Sequence, residues 1–202
     1  GKQQLLDYGV RTIIDLRAAQ EIAEHPPPDF GRDSRAPITI NPPQENPRLE
    51  QGSSPAAAAL KKAQTRTELF IKILDLYPAN QAGILRAIAN AGPGPLVFHC
   101  HSGKDRTGLA AALILSLAGV LEPAIGADYA ASQANLMPRF LQRAAAGQAD
   151  PGDRWAIPLT DPQTIYDTLA HLNGRYGGTE AYLRACGLTV DELARLKAKL
   201  VR

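Results

Sequence analysis

Residues 96–117 read LVFHCHSGKDRTGLAAALILSL, which is the most informative segment of the chain for its fold. Its first three residues are apolar, its middle is polar with one central glycine, and its end is rich in alanine and leucine. The pattern predicts a strand over 96–98, a polar loop, and a helix from about Thr107 to Leu117. Chemistry is expected where that helix begins, because its first backbone N–H groups have no partner within the helix.

The loop between this strand and this helix has the residue types that bind a dianion. Unpaired N–H groups and the positive end of the helix dipole attract phosphate. Gly103 permits the tight curvature that lets successive amides converge on one point. Arg106 offers two parallel donors to two phosphate oxygens. Cys100 lies at the base of this cradle, where the amides and the nearby cations stabilise a nucleophilic thiolate. These cations are Arg106, Lys104 and His101.

Taken singly, these residues have ordinary structural explanations. A cysteine after an apolar strand is often a small buried side chain. A Lys-Asp-Arg run is often a solvated surface, and a glycine turn before a helix is often only a connection. The combination is more specific, because five residues separate Cys100 from Arg106 and a strand passes into a helix around them. It favours a phosphate-binding nucleophile.

Elsewhere the chain has few predicted strands and many predicted helices. Residues 10–16 (VRTIIDL) predict a buried strand. Ile38–Ile40 predicts an edge strand inside a connection over 26–55 that holds half of the 16 prolines. Helices are predicted from Thr65 after a capping box with Glu68, at Gln81–Ala91, Pro123–Ser132, Ala134–Ala146, Pro162–Tyr176 and Thr179–Ala185, and after Thr189 with Glu192. This pattern predicts an α/β fold with a small central sheet flanked by many helices.

The composition excludes several classes of protein. With 45% hydrophobic residues and a net charge of +2, the chain is not expected to be disordered, and its charge gives no indication of nucleic-acid binding. Two cysteines make no disulfide framework, and no Cys/His cluster indicates a metal site, so no cofactor is expected. The longest apolar stretch, Leu109–Leu121, is shorter than the roughly 20 residues of a membrane span. No transmembrane span is therefore expected, and the compartment, cytoplasmic or secreted, stays open.

The sequence HCHSGKDRTG at 99–108 resembles the signature loop of the cysteine-dependent protein tyrosine phosphatases, HCxxGxxR(S/T)G. The GKDRTG version is similar to that of the bacterial tyrosine/serine phosphatases, which include phosphoinositide-active members. GVRTIIDLR at 9–17, DYAAS at 128–132 and RYGG at 175–178 also look like that subfamily. The resemblance implies a protein tyrosine phosphatase-like fold and a single phosphatase domain over 1–202.

Three features differ from the family pattern. Members usually carry short strands before the one at 10–16, and the domain is expected to lack them. Ala110 stands where a larger apolar residue is more common, which affects helix packing rather than chemistry. Many relatives place a general-acid aspartate on a separate mobile loop. The segment 36–50 offers no obvious equivalent, only Glu45 and Glu50.

The resemblance implies two-step hydrolysis of a phosphomonoester without a metal ion. Cys100 attacks phosphorus and forms a thiophosphate, while Arg106 and the loop amides hold the equatorial oxygens. Asp105 is the candidate acid and base, with a purely bracing contact as the alternative, and Asp128 is a weaker candidate. Thr107 is expected to donate its hydroxyl to the sulfur.

The rest of the loop is expected to bind the substrate. The phosphate-binding residues are expected to be His101, Ser102, Gly103, Lys104, Asp105 and Arg106. His99 is expected to orient the loop through backbone contacts. The extra cations suit a substrate with more than one phosphate, such as a phosphoinositide, although an exposed His101 without a role is the alternative. Both a phosphoprotein and a phosphoinositide therefore remain as partners.

The leading prediction is a protein tyrosine phosphatase that also acts on phosphoserine or phosphothreonine. The alternatives are a phosphoinositide phosphatase, a catalytically silent phosphate-binding module and a cysteine-based sulfurtransferase. A silent module needs no nucleophile, and KDRTG disfavours the sulfurtransferase. Three further residues have minor predicted roles. Asp15 pairs with an arginine near the strand end, Cys186 is a small buried residue, and Trp155 anchors the loop 150–160 or lines a groove.

Overall fold

The computed structural model describes residues 1–43, 54–152 and 155–200. These residues form three strands, β1 (Thr12–Asp15), β2 (Ile38–Ile40) and β3 (Leu96–His99). The helices are α1 (Lys2–Asp7), α2 (Ala19–Glu24), α3 (Pro55–Lys61), α4 (Arg66–Leu76), α5 (Pro78–Asn90), α6 (Asp105–Leu117), α7 (Glu122–Ala145), α8 (Pro162–Tyr176), α9 (Thr179–Ala185) and α10 (Val190–Leu200). Part of the proline-rich connection, with Glu45 and Glu50, lies outside the described residues.

The sheet is parallel, with the order β2-β1-β3. The central strand β1 is buried along its whole length, and β2 is an edge strand on which Ile38 is largely exposed. This confirms the predicted α/β fold and its edge strand. Because parallel strands share one carboxyl edge, Asp15 at the end of β1 pairs in register with His99 at the end of β3.

Helix α6 is the central helix of the fold. It packs against β3, α5, α7, α9 and α10, and its apolar side chains Leu109, Leu113 and Leu117 are buried in the core. The helix begins at Asp105, two residues before the predicted start. Its first turn therefore includes the second half of the polar loop, which is fixed to a helix whose apolar side chains are buried in the core.

Two helix predictions were wrong, and the difference affects the site. Residues 122–145 form one 24-residue helix with Pro138 inside it, not two helices over 123–132 and 134–146. No glycine or proline lies between those two segments, and Pro138 is exposed, where proline is easier to accommodate. The short helix α2 was not predicted. None of the described helices is long and apolar enough to cross a bilayer.

The predicted helix starts agree with the capping contacts. Thr65 accepts a hydrogen bond from the backbone N–H of Glu68 at 3.1 Å, and α4 follows it. At α10, Thr189 and Glu192 each accept a bond from the other's backbone N–H, at 3.2 and 2.8 Å. This reciprocal pair is the capping box that the sequence predicts.

Candidate active site

The polar loop spans residues 100–104, between the end of β3 and the start of α6, at the carboxyl edge of the sheet. Gly103 has a φ of +71°, in the left-handed region that favours glycine, so the loop turns there as predicted. Cys100 is buried at the base of the loop, whereas His101, Ser102 and Gly103 are exposed. The loop thus presents three exposed residues next to a buried cysteine.

His99 and Asp15 connect the loop to the neighbouring strand. The Nδ1 of His99 lies 3.0 Å from the carbonyl oxygen of Cys100, and because a carbonyl only accepts, Nδ1 donates. The Nε2 of His99 is 3.9 Å from Asp15. Asp15 is buried and accepts hydrogen bonds from the side chain of Arg17, the arginine near the strand end. Burial raises the pKa of Asp15, but the hydrogen bonds from Arg17 outweigh it and lower that pKa overall.

Arg106 lies in the first turn of α6 and is bound on one side by Glu21. Its Nη1 and Nη2 donate to the two carboxylate oxygens of Glu21 at 2.6 and 2.7 Å, and Nη1 also donates to the carbonyl of Leu16 at 3.0 Å. Burial alone would lower the pKa of Arg106, but Glu21 and the neighbouring Cys100 raise it. The guanidinium is therefore held as a cation beside the sulfur.

Lys104 and Arg66 bind the segment 155–159 to the loop. The Nζ of Lys104 donates to the carbonyl oxygens of Trp155 and Ile157, at 3.2 and 3.3 Å. Arg66 donates to the same two carbonyls and to that of Leu159, and its guanidinium lies 5.6 Å from the Trp155 ring centroid. Lys104 is buried. Its ammonium group therefore binds this segment, and its part in phosphate binding stays a prediction.

Asp105 is the first residue of α6 and forms an ion pair with Arg66. Its Oδ1 accepts from Nη1 of Arg66 at 2.5 Å, and its Oδ2 lies 4.0 Å from Nζ of Lys104. An acidic side chain in the first turn of a helix is also favoured by the helix dipole. The bracing contact weighed against a catalytic role is thus present in the structure, and the carboxylate has two cations beside it.

The hydroxyl of Thr107 does not reach the sulfur. Its Oγ1 is buried and has no hydrogen-bond partner among the residues that the structure describes. The predicted bond to Cys100 is therefore not formed in this structure. Behind it, the ring of Tyr129 on α7 packs against Gly108, with a closest approach of 2.7 Å to the place where a Cβ would stand. The first turn of α6 is closely packed on this side.

A pocket of about 150 Å³ opens beside the loop. Its loop side is lined by His101, Ser102 and Lys104, and the facing side by α7, which contributes Arg139 and Arg143. Asp128, the weaker acid candidate, is also on α7 but lines a different groove, to which no residue of the loop contributes. The structure therefore does not bring Asp128 to the loop, although it places two arginines of the same helix there.

Residues 1–202 match the model of the tyrosine phosphatase family. The chain belongs to this family. A tyrosine-protein phosphatase of Nostoc commune is 32% identical over 98% of the chain and 69% of the relative. The triple specificity protein phosphatase PtpB of Mycobacterium tuberculosis is 27% identical over 95% of the chain and 76% of its own length. A putative tyrosine-protein phosphatase of Cupriavidus necator is 37% identical over 51% of the chain and 38% of its own length.

The structure adds two residues to this phosphatase site that the sequence did not indicate. Glu21 binds Arg106 and Arg66 binds Asp105, and both partners are distant along the chain. A signal for Glu21 existed, because an acidic residue shortly after a parallel strand lies at the same sheet edge as the loop. Arg66 offered no such signal, since it stands in the first turn of a helix that reads as an ordinary amphipathic segment.

Proposed function

We propose that this phosphatase hydrolyses phosphotyrosine in proteins through a thiophosphate on Cys100, and phosphoserine or phosphothreonine by the same route. The thiolate attacks phosphorus as the P–O bond to the leaving oxygen breaks, and that oxygen takes a proton from Asp105 or, where Asp105 acts only as the base of the second step, from water. Water then attacks the phosphorus, the P–S bond breaks, inorganic phosphate leaves and the thiolate is restored. The observation that carries this proposal is the burial of Cys100 together with its electrostatic interaction with the guanidinium of Arg106.

Asp105 moves the proton in this proposal. Its carboxylate already accepts from Arg66 at 2.5 Å and lies 4.0 Å from Nζ of Lys104. An anion can take a proton from the attacking water in the second step. To protonate the leaving oxygen in the first step, it would first have to gain a proton against the ion pair with Arg66. The contacts therefore support the base role better than the acid role.

A substitution of Asp105 separates the two roles. Asp105→Asn is mixed rapidly with p-nitrophenyl phosphate, and the released nitrophenol is followed before the first turnover is complete. If Asp105 is the base of the second step, a burst of nitrophenol equal to the enzyme concentration precedes slow turnover. If Asp105 is the acid of the first step, no burst appears, and the loss of rate grows with poorer leaving groups.

A phosphoinositide substrate is the second candidate, and one observation favours it. Arg139 and Arg143 line the pocket beside the loop, which suits a headgroup with a further phosphate. Arg143 also donates to the carbonyl of Gln148 at 2.9 Å, which orients it. The name of the Mycobacterium relative, triple specificity protein phosphatase, is compatible with a broad substrate range.

The test measures phosphate release from a phosphotyrosine peptide and from a soluble phosphoinositide under reducing conditions. Cys100→Ser is the control for the nucleophile. The protein-directed proposal expects faster release from the peptide, and that Arg139→Ala with Arg143→Ala changes this rate by less than about threefold. Faster release from the phosphoinositide, lost in the double variant, favours the lipid instead. No release from either substrate contradicts the proposal and favours a silent phosphate-binding module.

A further inference from the structure

We infer that Glu21 is a positioning residue for the phosphatase reaction, which orients Arg106 so that one edge of its guanidinium stays open for the phosphoryl group. The inference rests on the proposed function, because it takes Arg106 as the residue that binds the transferred group. It follows from a count of the donors of Arg106.

A guanidinium has five N–H donors in one plane. In Arg106, both hydrogens of Nη1 are used, one by Glu21 and one by the carbonyl of Leu16. One hydrogen of Nη2 is used by Glu21. The donors left over are Nε–H and the second hydrogen of Nη2, which have no partner among the described residues. These two point in parallel from the same edge and form the fork that grips two oxygens of a phosphate.

Arg17 shows the opposite use of the same group. Its Nε and Nη2 both donate to the carboxylate of Asp15, at 2.9 and 2.7 Å, so its fork is occupied inside the protein. Its Nη1 donates to the carbonyl of His25 at 2.8 Å. The two arginines are therefore not equivalent. Arg17 has a structural role, and only Arg106 presents an open fork beside the sulfur.

The carboxylate of Glu21 is itself held in place by burial and by a backbone hydrogen bond. Its side chain is only 12% exposed, and its Oε2 also accepts from the backbone N–H of Ala18 at 2.9 Å, at the start of α2. The segment before α2 is anchored to the loop, because the N–H of Leu16 donates to the carbonyl of His99 at 2.7 Å. The end of α2 is held by the bond from Arg17 to His25. The carboxylate thus stands on a braced turn at the same sheet edge as the loop.

This arrangement has two consequences for catalysis. Glu21 removes most of the rotamer freedom of Arg106 before the substrate binds, so that freedom is not lost during binding. It also sets the direction of the open fork, and a displacement of about 1 Å in such a group can cost about a hundredfold in rate. Glu21 contacts neither substrate nor sulfur in this account and acts only through Arg106.

The opposing explanation is that Glu21 competes with phosphate for Arg106. Competition requires the carboxylate and the phosphate to use the same hydrogens. The bonds of Arg106 place them on different edges, so both can bind at once. The two explanations predict opposite effects of neutralising Glu21 on the affinity for a phosphate-like anion.

The experiment compares Glu21→Gln with Glu24→Gln, using p-nitrophenyl phosphate as substrate and orthovanadate as inhibitor. Glu24 lies on the same helix, is exposed, and contacts only Gln20 in the described structure. We expect Glu21→Gln to lower kcat/KM by about tenfold to a hundredfold and to weaken inhibition by orthovanadate in parallel. We expect Glu24→Gln to stay within about twofold of the wild type. Tighter inhibition in Glu21→Gln would show competition and overturn the inference.

A second background separates positioning from a general effect on folding. In Arg106→Ala, the residual rate should change by less than about twofold when Glu21→Gln is added, because the partner is already gone. An equal loss in both backgrounds would mean that Glu21 acts on the fold, and would overturn the inference. The wild type and Cys100→Ser are measured alongside. An active wild type with an unaffected Glu21→Gln refutes only the role of Glu21, whereas an inactive wild type refutes the proposed function and this inference with it.

Discussion

Replacing Arg66 by alanine is expected to destabilise the protein by about 3 kcal/mol. Arg66 is the only charged side chain in the described structure that joins α4, the first turn of α6 and the segment 155–159. The substitution leaves the carboxylate of Asp105 without its 2.5 Å partner. It also removes the Arg66 donor from the carbonyl oxygen of Leu159, and one of the two side-chain donors from those of Trp155 and Ile157, which keep Lys104.

The magnitude follows from how much water can replace the lost contacts. Removing one partner of a buried ion pair costs about 3–5 kcal/mol. The Arg66 side chain is 9% exposed but that of Asp105 is 25% exposed, so water compensates the carboxylate in part and the low end applies. A loss of about 3 kcal/mol in a chain of this size corresponds to a decrease in Tm of about 6–12 °C.

The assay is urea unfolding at neutral pH, followed by fluorescence of Trp155, with thermal melts as a second measurement. Arg184→Ala is the matched control, because Arg184 is exposed and its side chain makes no hydrogen bond or ion pair in the described structure. We expect this control to change stability by less than about 0.5 kcal/mol. Equal stability of the two variants would refute the account of Arg66 as a joining residue.

Three further predictions concern other parts of the molecule. Gly108→Ala places a Cβ 2.7 Å from the ring of Tyr129 and should destabilise by about 1–3 kcal/mol in thermal melts, whereas Gly174→Ala, in open space, should not. The backbone N–H of Thr189 donates to the carboxylate of Glu192 and lowers its pKa, and this effect outweighs burial, which raises it. Glu192 therefore contributes fully to the free energy of unfolding above its ordinary pKa of about 4.5. This contribution is lost as the pH falls through its lower pKa in the folded protein. Glu192→Gln should therefore cost about 1 kcal/mol at pH 7 and less at pH 3 in urea titrations, and a constant difference would contradict this. Burial raises the pKa of Cys186, so iodoacetamide at pH 7 should modify it more slowly than a cysteine in an unfolded peptide, as read by mass spectrometry.

The local sequence predicts the three strands, most of the longer helices and the reactive loop of this protein. Runs of apolar, β-branched residues predict buried strands. The capping pairs Thr65–Glu68 and Thr189–Glu192 mark the starts of helices, because their hydrogen bonds join residues that are three positions apart in the chain. The spacing of Cys100 and Arg106 needs only a strand, a turn at Gly103 and a helix to place both residues at one loop. Each of these features depends on neighbours within a few residues, so it can be read along the chain.

The partners of the charged residues around that loop depend on the tertiary structure. The parallel pairing of β1 with β3 brings Glu21 to Arg106 across 85 residues, and the packing of α4 brings Arg66 to Asp105 across 39. The packing of segment 155–159 on Lys104 brings its ammonium group to two backbone carbonyls, which are contacts that the sequence did not predict. The physical reason is that an ion pair depends on the distance between two side chains in space. The sequence alone does not show whether a charged side chain faces water or an oppositely charged partner.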